Sequence, residues 1–166
     1  LNNQKVIIRG VNPEPWTSPS VSVGRKNGKA FPMVYKSAGL KAYQEAIGEA
    51  VSGRKPTTGP ISVTFYLWRQ LPAYETDRQR KARKHEADAT NLQKALEDAL
   101  QGHLFENDRD CHHVQTFIME QGHDTEPLIV IEVESFEMPH VEVPHVKQEP
   151  LFTDDEARVS DVEGIF

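Results

Sequence analysis

Between Glu86 and Cys111 the residues Leu92, Ala95, Leu96, Ala99, Leu100 and Leu104 recur at helical spacing, so one face of this segment must be buried against a partner. Asn91, Lys94, Asp98 and Gln101 are left on the free face. Thr90 followed three residues later by Gln93 reads as a capping box, which predicts a helix starting at Thr90 and puts Asp88 in the extended segment before it. An ionised carboxylate at Asp88 is then favoured by the positive end of the helix. Beyond the helix, Phe105-Glu106-Asn107-Asp108 brings in further acids, and an antiparallel return of the next strand would carry Asp108 toward Asp88. A carboxylate before a helix, an amine one turn inside it and carboxylates after it suit a hard divalent cation and a phosphate, hence a metal-dependent phosphodiesterase.

The rest of the chain supplies a sheet for that helix. Val6-Ile7-Ile8 reads as a first strand. Residues 21–35 read as a hairpin turning at Asn27-Gly28, a favoured turn dipeptide. Ser37 opens a helix with Leu40, Tyr43, Ile47 and Ala50 or Val51 in period, and Gly53 closes it. Ile61, Val63, Phe65 and Leu67 alternate as a strand, and residues 70–87 follow as a long charged connection without a period, a length that signals function or mobility. Val114, Thr116 and Ile118, then residues 128–133, predict two final strands paired through residues 121–124. The expected class is α+β, a mixed β-sheet with helices packed on it.

At 166 residues the chain is of single-domain length, with no apolar run long enough to span a membrane and no signal peptide, so a soluble, cytoplasmic protein is expected. Cys111 is the single cysteine, which excludes a disulfide framework. The net charge of -6 argues against a nucleic-acid enzyme until it is divided. From Glu137 onward eight acidic residues face two basic ones, whereas residues 1–136 carry seventeen of each. Within that balanced body Arg25, Lys26 and Lys29 form one basic cluster, and Arg78, Arg80, Lys81, Arg83 and Lys84 form another just before Asp88. Local field governs phosphate contact more than the total does. Residues 1–136 are therefore assigned to one domain, and the acidic, proline-interrupted 137–166 to a tail disordered on its own.

The segment resembles the RusA-like Holliday junction resolvases of bacteria and their phages, whose pattern runs Asp-x-Asp-Asn-Leu-x-Lys, a helix with an internal Asp, then an aromatic residue, Asp-Asp and a strand. Asp88, Thr90, Asn91, Leu92, Lys94, Asp98, Phe105, Asn107 and Asp108 carry it here, with a looser outline over residues 10–136. Two positions depart from the pattern. Thr90 replaces the second acid of the first motif, leaving that site one negative charge short, and Asn107 replaces the first of the acidic pair. Glu86 shares a face with Asp88 on an extended strand and is a substitute donor.

The resemblance implies a Mg²⁺-dependent, structure-selective endonuclease, with Mn²⁺ as an alternative ion, that resolves Holliday junctions or other branched DNA in recombination, repair or phage DNA processing. Asp88 and Asp108 are the expected metal ligands, aided by Glu86 or Thr90, and Lys94 is the residue expected to hold the phosphate. Asn91 and Asp98 support them, and the two basic clusters grip flanking backbone. A homodimer follows from the need for two symmetric cuts. The competing readings are a non-catalytic junction binder and a nuclease of flaps or single strands.

In the tail, Gln148-Glu149-Pro150-Leu151-Phe152 resembles the peptide by which bacterial replication proteins dock on the sliding clamp, so Gln148, Leu151 and Phe152 are the candidate clamp contacts. The last six residues resemble the acidic, Phe-ending tip of single-strand-binding proteins. A zinc site from Cys111, His112, His113 and His123 is disfavoured, because strand neighbours point to opposite faces. Asp98, four residues after Lys94, either forms a surface ion pair with it or orients it. Trp16 and Trp68 are read as packing residues.

Overall fold

The computed structural model describes residues 3–18, 20–74, 76–137 and 139. The clamp-like peptide and the rest of the predicted tail from residue 140 lie outside the described residues. The α+β class with a mixed sheet is observed. Strands β1 (Gln4–Arg9), β4 (Ile61–Gln70), β5 (Cys111–Gly122) and β6 (Leu128–Ser135) form one sheet in the order β1-β6-β4-β5. Strands β2 (Ser20–Lys26) and β3 (Lys29–Tyr35) form a separate antiparallel hairpin. Its turn is Asn27-Gly28, both with positive φ (53° and 75°), the conformation a two-residue hairpin loop demands.

Every second residue of β4 through Arg69 is buried, the signature of a strand with one face on the core. Ile61, Val63, Phe65 and Leu67 join Ile129, Ile131 and Val133 of β6 and Val6 and Ile8 of β1 on that face. Helix α1 (Ala38–Ala50), capped by Ser37, covers it with Leu40, Tyr43, Ile47 and the following Val51. Helix α3 (Ala89–Leu100) adds Leu92, Ala95, Leu96, Ala99 and Leu100. Each fully buried aliphatic or Phe side chain contributes about 1.5–3 kcal/mol. The opposite face of the sheet exposes Ile7, Phe117 and Met119, with Phe117 stacked on Tyr66.

Two expectations are corrected. First, β5 and β6 do not pair, because β4 lies between them, parallel to β5 and antiparallel to β6. The connection between β5 and β6 crosses the end of β4, where Leu71 N–H donates to the Gly122 carbonyl at 2.8 Å and His123 Nδ1 meets the Leu71 carbonyl at 3.2 Å. Two strand spacings are about 9.5 Å, which a five-residue link spans easily, so adjacency in sequence loses to β4's need for neighbours on both edges. Second, the connection after β4 is not without structure. It contains α2 (Asp77–Lys81), whose N-cap Thr76 accepts from Gln79 N–H.

Candidate active site

The N-cap of helix α3 lies two residues earlier than expected, at Asp88. The Asp88 backbone is extended (φ -80°, ψ 158°), and its Oδ1 accepts the Asn91 N–H at 2.8 Å. Asn91 Nδ2 donates to the other carboxylate oxygen, also at 2.8 Å. Asp is at least as good a cap as Thr, and here it gains a second bond from the side chain three residues on. Thr90 is thus an exposed residue of the first turn rather than the cap. Each Asp88 oxygen keeps a lone pair, so the two bonds aim the carboxylate without consuming it.

Lys94 lies one turn further along. Its Nζ is 3.8 Å from the centroid of the Trp16 ring, a cation–π contact, and Trp16 N–H donates to the Asn91 carbonyl at 2.9 Å. Trp16 is therefore a support for Lys94 as well as a packing residue. The expected pair between Lys94 and Asp98 is replaced, since Asp98 meets Lys36 at 3.7 Å. The indole face offers Lys94 an alternative to a solvated ion pair of small worth.

At the other end of α3, Asn107 Oδ1 accepts the Arg109 N–H at 3.0 Å and caps a short 3-10 helix (Asp108–Asp110) that opens with the exposed Asp108. The carboxylate facing this end of the helix is Glu97, which the sequence reading passed over. Glu97 is half-buried, and burial raises its pKa above the ordinary 4.5, with the Asp108 and Asp98 charges adding to the rise and a bond from Gln93 opposing it. Gln93 Nε2 donates to Glu97 Oε1 at 3.0 Å, and Thr116 of β5 donates to Gln93 Oε1 at 3.0 Å, so the carboxylate is held between α3 and β5. The signal was present in the sequence: residues 90 and 97 are seven apart and share a helical stripe. Cys111 lies close by, its thiol pushed up to about 12 by burial and by the Glu97, Asp108 and Asp110 charges.

Glu86, the expected substitute donor, is paired with Arg83 at 2.6 Å. Among the described residues no three His, Cys, Asp or Glu side chains form a group that could hold a metal ion. Asp88 stands at the N-terminal end of α3, where Ala87 meets Gln121 far along β5, whereas Asp108 and Glu97 stand together near the start of β5, so the expected return of Asp108 toward Asp88 is not observed. Each of the three offers the carboxylate oxygens that a hard divalent cation takes. His113 and His123 are engaged elsewhere, His113 with Ser62 at 3.0 Å and with the Phe136 ring, His123 with Leu71 and Tyr74.

Of the basic residues, Arg25 and Lys29 flank the hairpin turn that Lys26 enters. Arg78, Arg80 and Lys81 lie on α2, with Arg80 paired to Asp77 at 2.9 Å. Arg83 has a positive φ of 51° just before the exposed Lys84. Two further residues missed in the sequence, Arg69 and Gln121, hold the backbone that leads into Asp88. No helix among the described residues is long and apolar enough to cross a membrane.

No curated protein matches the chain. The family model described as Endodeoxyribonuclease RusA matches residues 12–134, a span that takes in the hairpin, Trp16, Asp88, Lys94, Glu97 and Asp108. The chain belongs to the RusA endodeoxyribonuclease family.

Proposed function

We propose that the chain is a Mg²⁺-dependent endonuclease that resolves Holliday junctions, or closely related branched DNA, as a homodimer. The single observation that carries this reading is the family match over residues 12–134, within which Asn91 fixes the Asp88 carboxylate and stands about one helical turn before a supported Lys94. The family pattern would assign the ion to Asp88 and Asp108, with Thr90 offering a hydroxyl where the pattern has a further carboxylate. When bound, a divalent cation supplies charge against the phosphate and activates water for in-line attack. Lys94, carried on the Trp16 ring, holds the scissile phosphate and offsets charge developing on its oxygens. The hairpin residues Arg25, Lys26 and Lys29 and the segment from Arg78 to Lys84 grip backbone on either side without reading sequence. Two coordinated incisions need two sites, so a twofold dimer supplies one from each chain. Residues 1–136 are the nuclease domain. The acidic residues 137–166 are an appendage whose Gln148, Leu151 and Phe152 engage a sliding clamp in a bacterial or phage-infected cell.

The test compares a four-way junction, a flap and a plain duplex at matched salt, with Mg²⁺, Mn²⁺ or neither. Symmetric nicking of the junction by the intact protein, lost in Asp88→Asn and Asp108→Asn, is the expected result. Metal-dependent cutting of the flap alone would replace the substrate assignment. A non-catalytic junction binder is favoured by Thr90 and by the absence of a three-donor group among the described residues. It prevails if the intact protein binds junctions and cuts nothing while Thr90→Asp cuts.

A further inference from the structure

Arg69 is the only charged side chain among the described residues that is buried, at 7% exposure, and it sits on the core side of β4 where an aliphatic residue would continue the pattern. Desolvating a guanidinium is costly unless its donors are matched. Its hydrogen bonds go to two backbone carbonyls and a side-chain amide rather than to a carboxylate. Nε donates to the Pro13 carbonyl at 2.8 Å, and Nη1 donates to the His85 carbonyl at 2.6 Å and to Gln121 Oε1 at 3.3 Å. Gln121 stands next to Arg69 in the parallel register of β4 and β5. Its amide makes a two-way bond with a single residue: Oε1 accepts the Ala87 N–H at 3.1 Å and Nε2 donates to the Ala87 carbonyl at 2.9 Å. A side chain here does what a neighbouring strand would do, fixing the residue that immediately precedes Asp88.

The same guanidinium reaches the other half of the site. Pro13 lies three residues before Trp16, whose N–H is bonded to Asn91 and whose ring carries Lys94. Two separate stretches of chain, one leading into the carboxylate and one into the support of the ammonium, are thus tied to one buried group. We infer that Arg69 and Gln121 are positioning residues for the nuclease reaction, which set the placement of Asp88 relative to Lys94 without touching DNA. The inference rests on the roles given above to Asp88 and Lys94.

The experiment uses the full chain on a four-way junction in Mg²⁺, with single-turnover cutting at saturating protein, junction binding without metal, urea midpoints, and amide exchange across residues 87–91. Gln121→Met keeps volume and removes both bonds to Ala87. It is expected to cut about tenfold to a hundredfold more slowly, as sub-ångström to 1 Å misplacement does, with junction affinity within about twofold and faster exchange at residues 87–91. Gln121→Glu keeps the shape, the Ala87 N–H bond and the Arg69 contact but cannot donate to the Ala87 carbonyl, so it should fall between. It carries the same test if the Met variant does not fold. Arg69→Met removes the buried charge and should lose cutting even where its urea midpoint is unchanged or higher. Wild-type rates in folded Gln121→Met and Gln121→Glu, or rate losses that merely follow the fraction unfolded, overturn the inference. Asp88→Asn cutting at the wild-type rate removes the reading of the site and this inference with it. An inert Asp88→Asn beside fully active Gln121 variants overturns the positioning role alone.

Discussion

Asp88 has two jobs that two substitutions separate. As the N-cap of α3 it satisfies the Asn91 N–H, and as an anion it faces the positive end of the helix. Asp88→Ala removes the cap, a loss of about 0.5–2 kcal/mol, and also the charge at the helix start, about 0.3–1 kcal/mol. Asp88→Asn removes only the second, because an Asn oxygen still accepts the Asn91 N–H, and Asn91 can turn its own amide to accept from the new Nδ2. The two variants should therefore differ by the cap alone, and at about 2–4 °C per kcal/mol in a chain of this length the Ala variant should melt several degrees below the Asn variant. Cutting should be lost equally in both, since each removes the charged oxygen donor. Thermal melts and junction cleavage on the same preparations read the two effects. Equal melting of the two variants would refute the cap, and cutting by Asp88→Asn would refute the need for charge.

The Glu97 carboxyl binds its proton more tightly in the fold than in the open chain, so the folded state holds the extra proton and stability falls as pH rises from the ordinary 4.5 through the raised value. Glu97→Gln should flatten that slope in urea midpoints taken between about pH 4 and 7, and an unchanged slope would place the titration elsewhere. Cys111, its thiol pushed up to about 12, should resist iodoacetamide at neutral pH until urea is added, whereas rapid labelling of the folded protein, read by mass, would contradict its half-buried, acidic setting. Replacing Arg25 and Lys29 together by Ala should reduce the slope of log binding constant against log salt by about 1–2, and an unaltered slope would take the hairpin off the DNA.

What was legible in the sequence were features written in local periods. The alternation from Ile61 to Leu67 needs no partner to be recognised, nor does the apolar stripe of α3 or the Asn27-Gly28 turn, because each follows from the geometry of a single element. Features that depended on competition between partners were not. Thr90 and Asp88 are both good caps two residues apart, and the decision fell to Asn91, whose side chain adds a bond only Asp88 can accept. Lys94 had Asp98 at the right spacing, but Trp16, some eighty positions earlier, offered its ring, and Lys36 took Asp98.

The strand order was hidden for a related reason, since a link of five residues between β5 and β6 fits a hairpin as well as a step across the end of β4. Arg69 was the least legible of all. In sequence it is a charge near the end of a strand, and its role exists only because residues 13, 85 and 121 arrive around it. The departures from the family pattern follow the same logic. Asn107, read as a lost acid, caps the short helix that presents Asp108, so the position still serves the carboxylate beside it. Glu97, seven residues after Thr90 on the same helical stripe, lies within the field of Asp108. Seven residues along a helix keep the face but carry a side chain about 10 Å along the axis, so Glu97 stands with Asp108 and not beside Asp88. The letter at position 90 therefore still sets how much negative charge surrounds Asp88 at the start of α3, which makes Thr90→Asp the informative substitution.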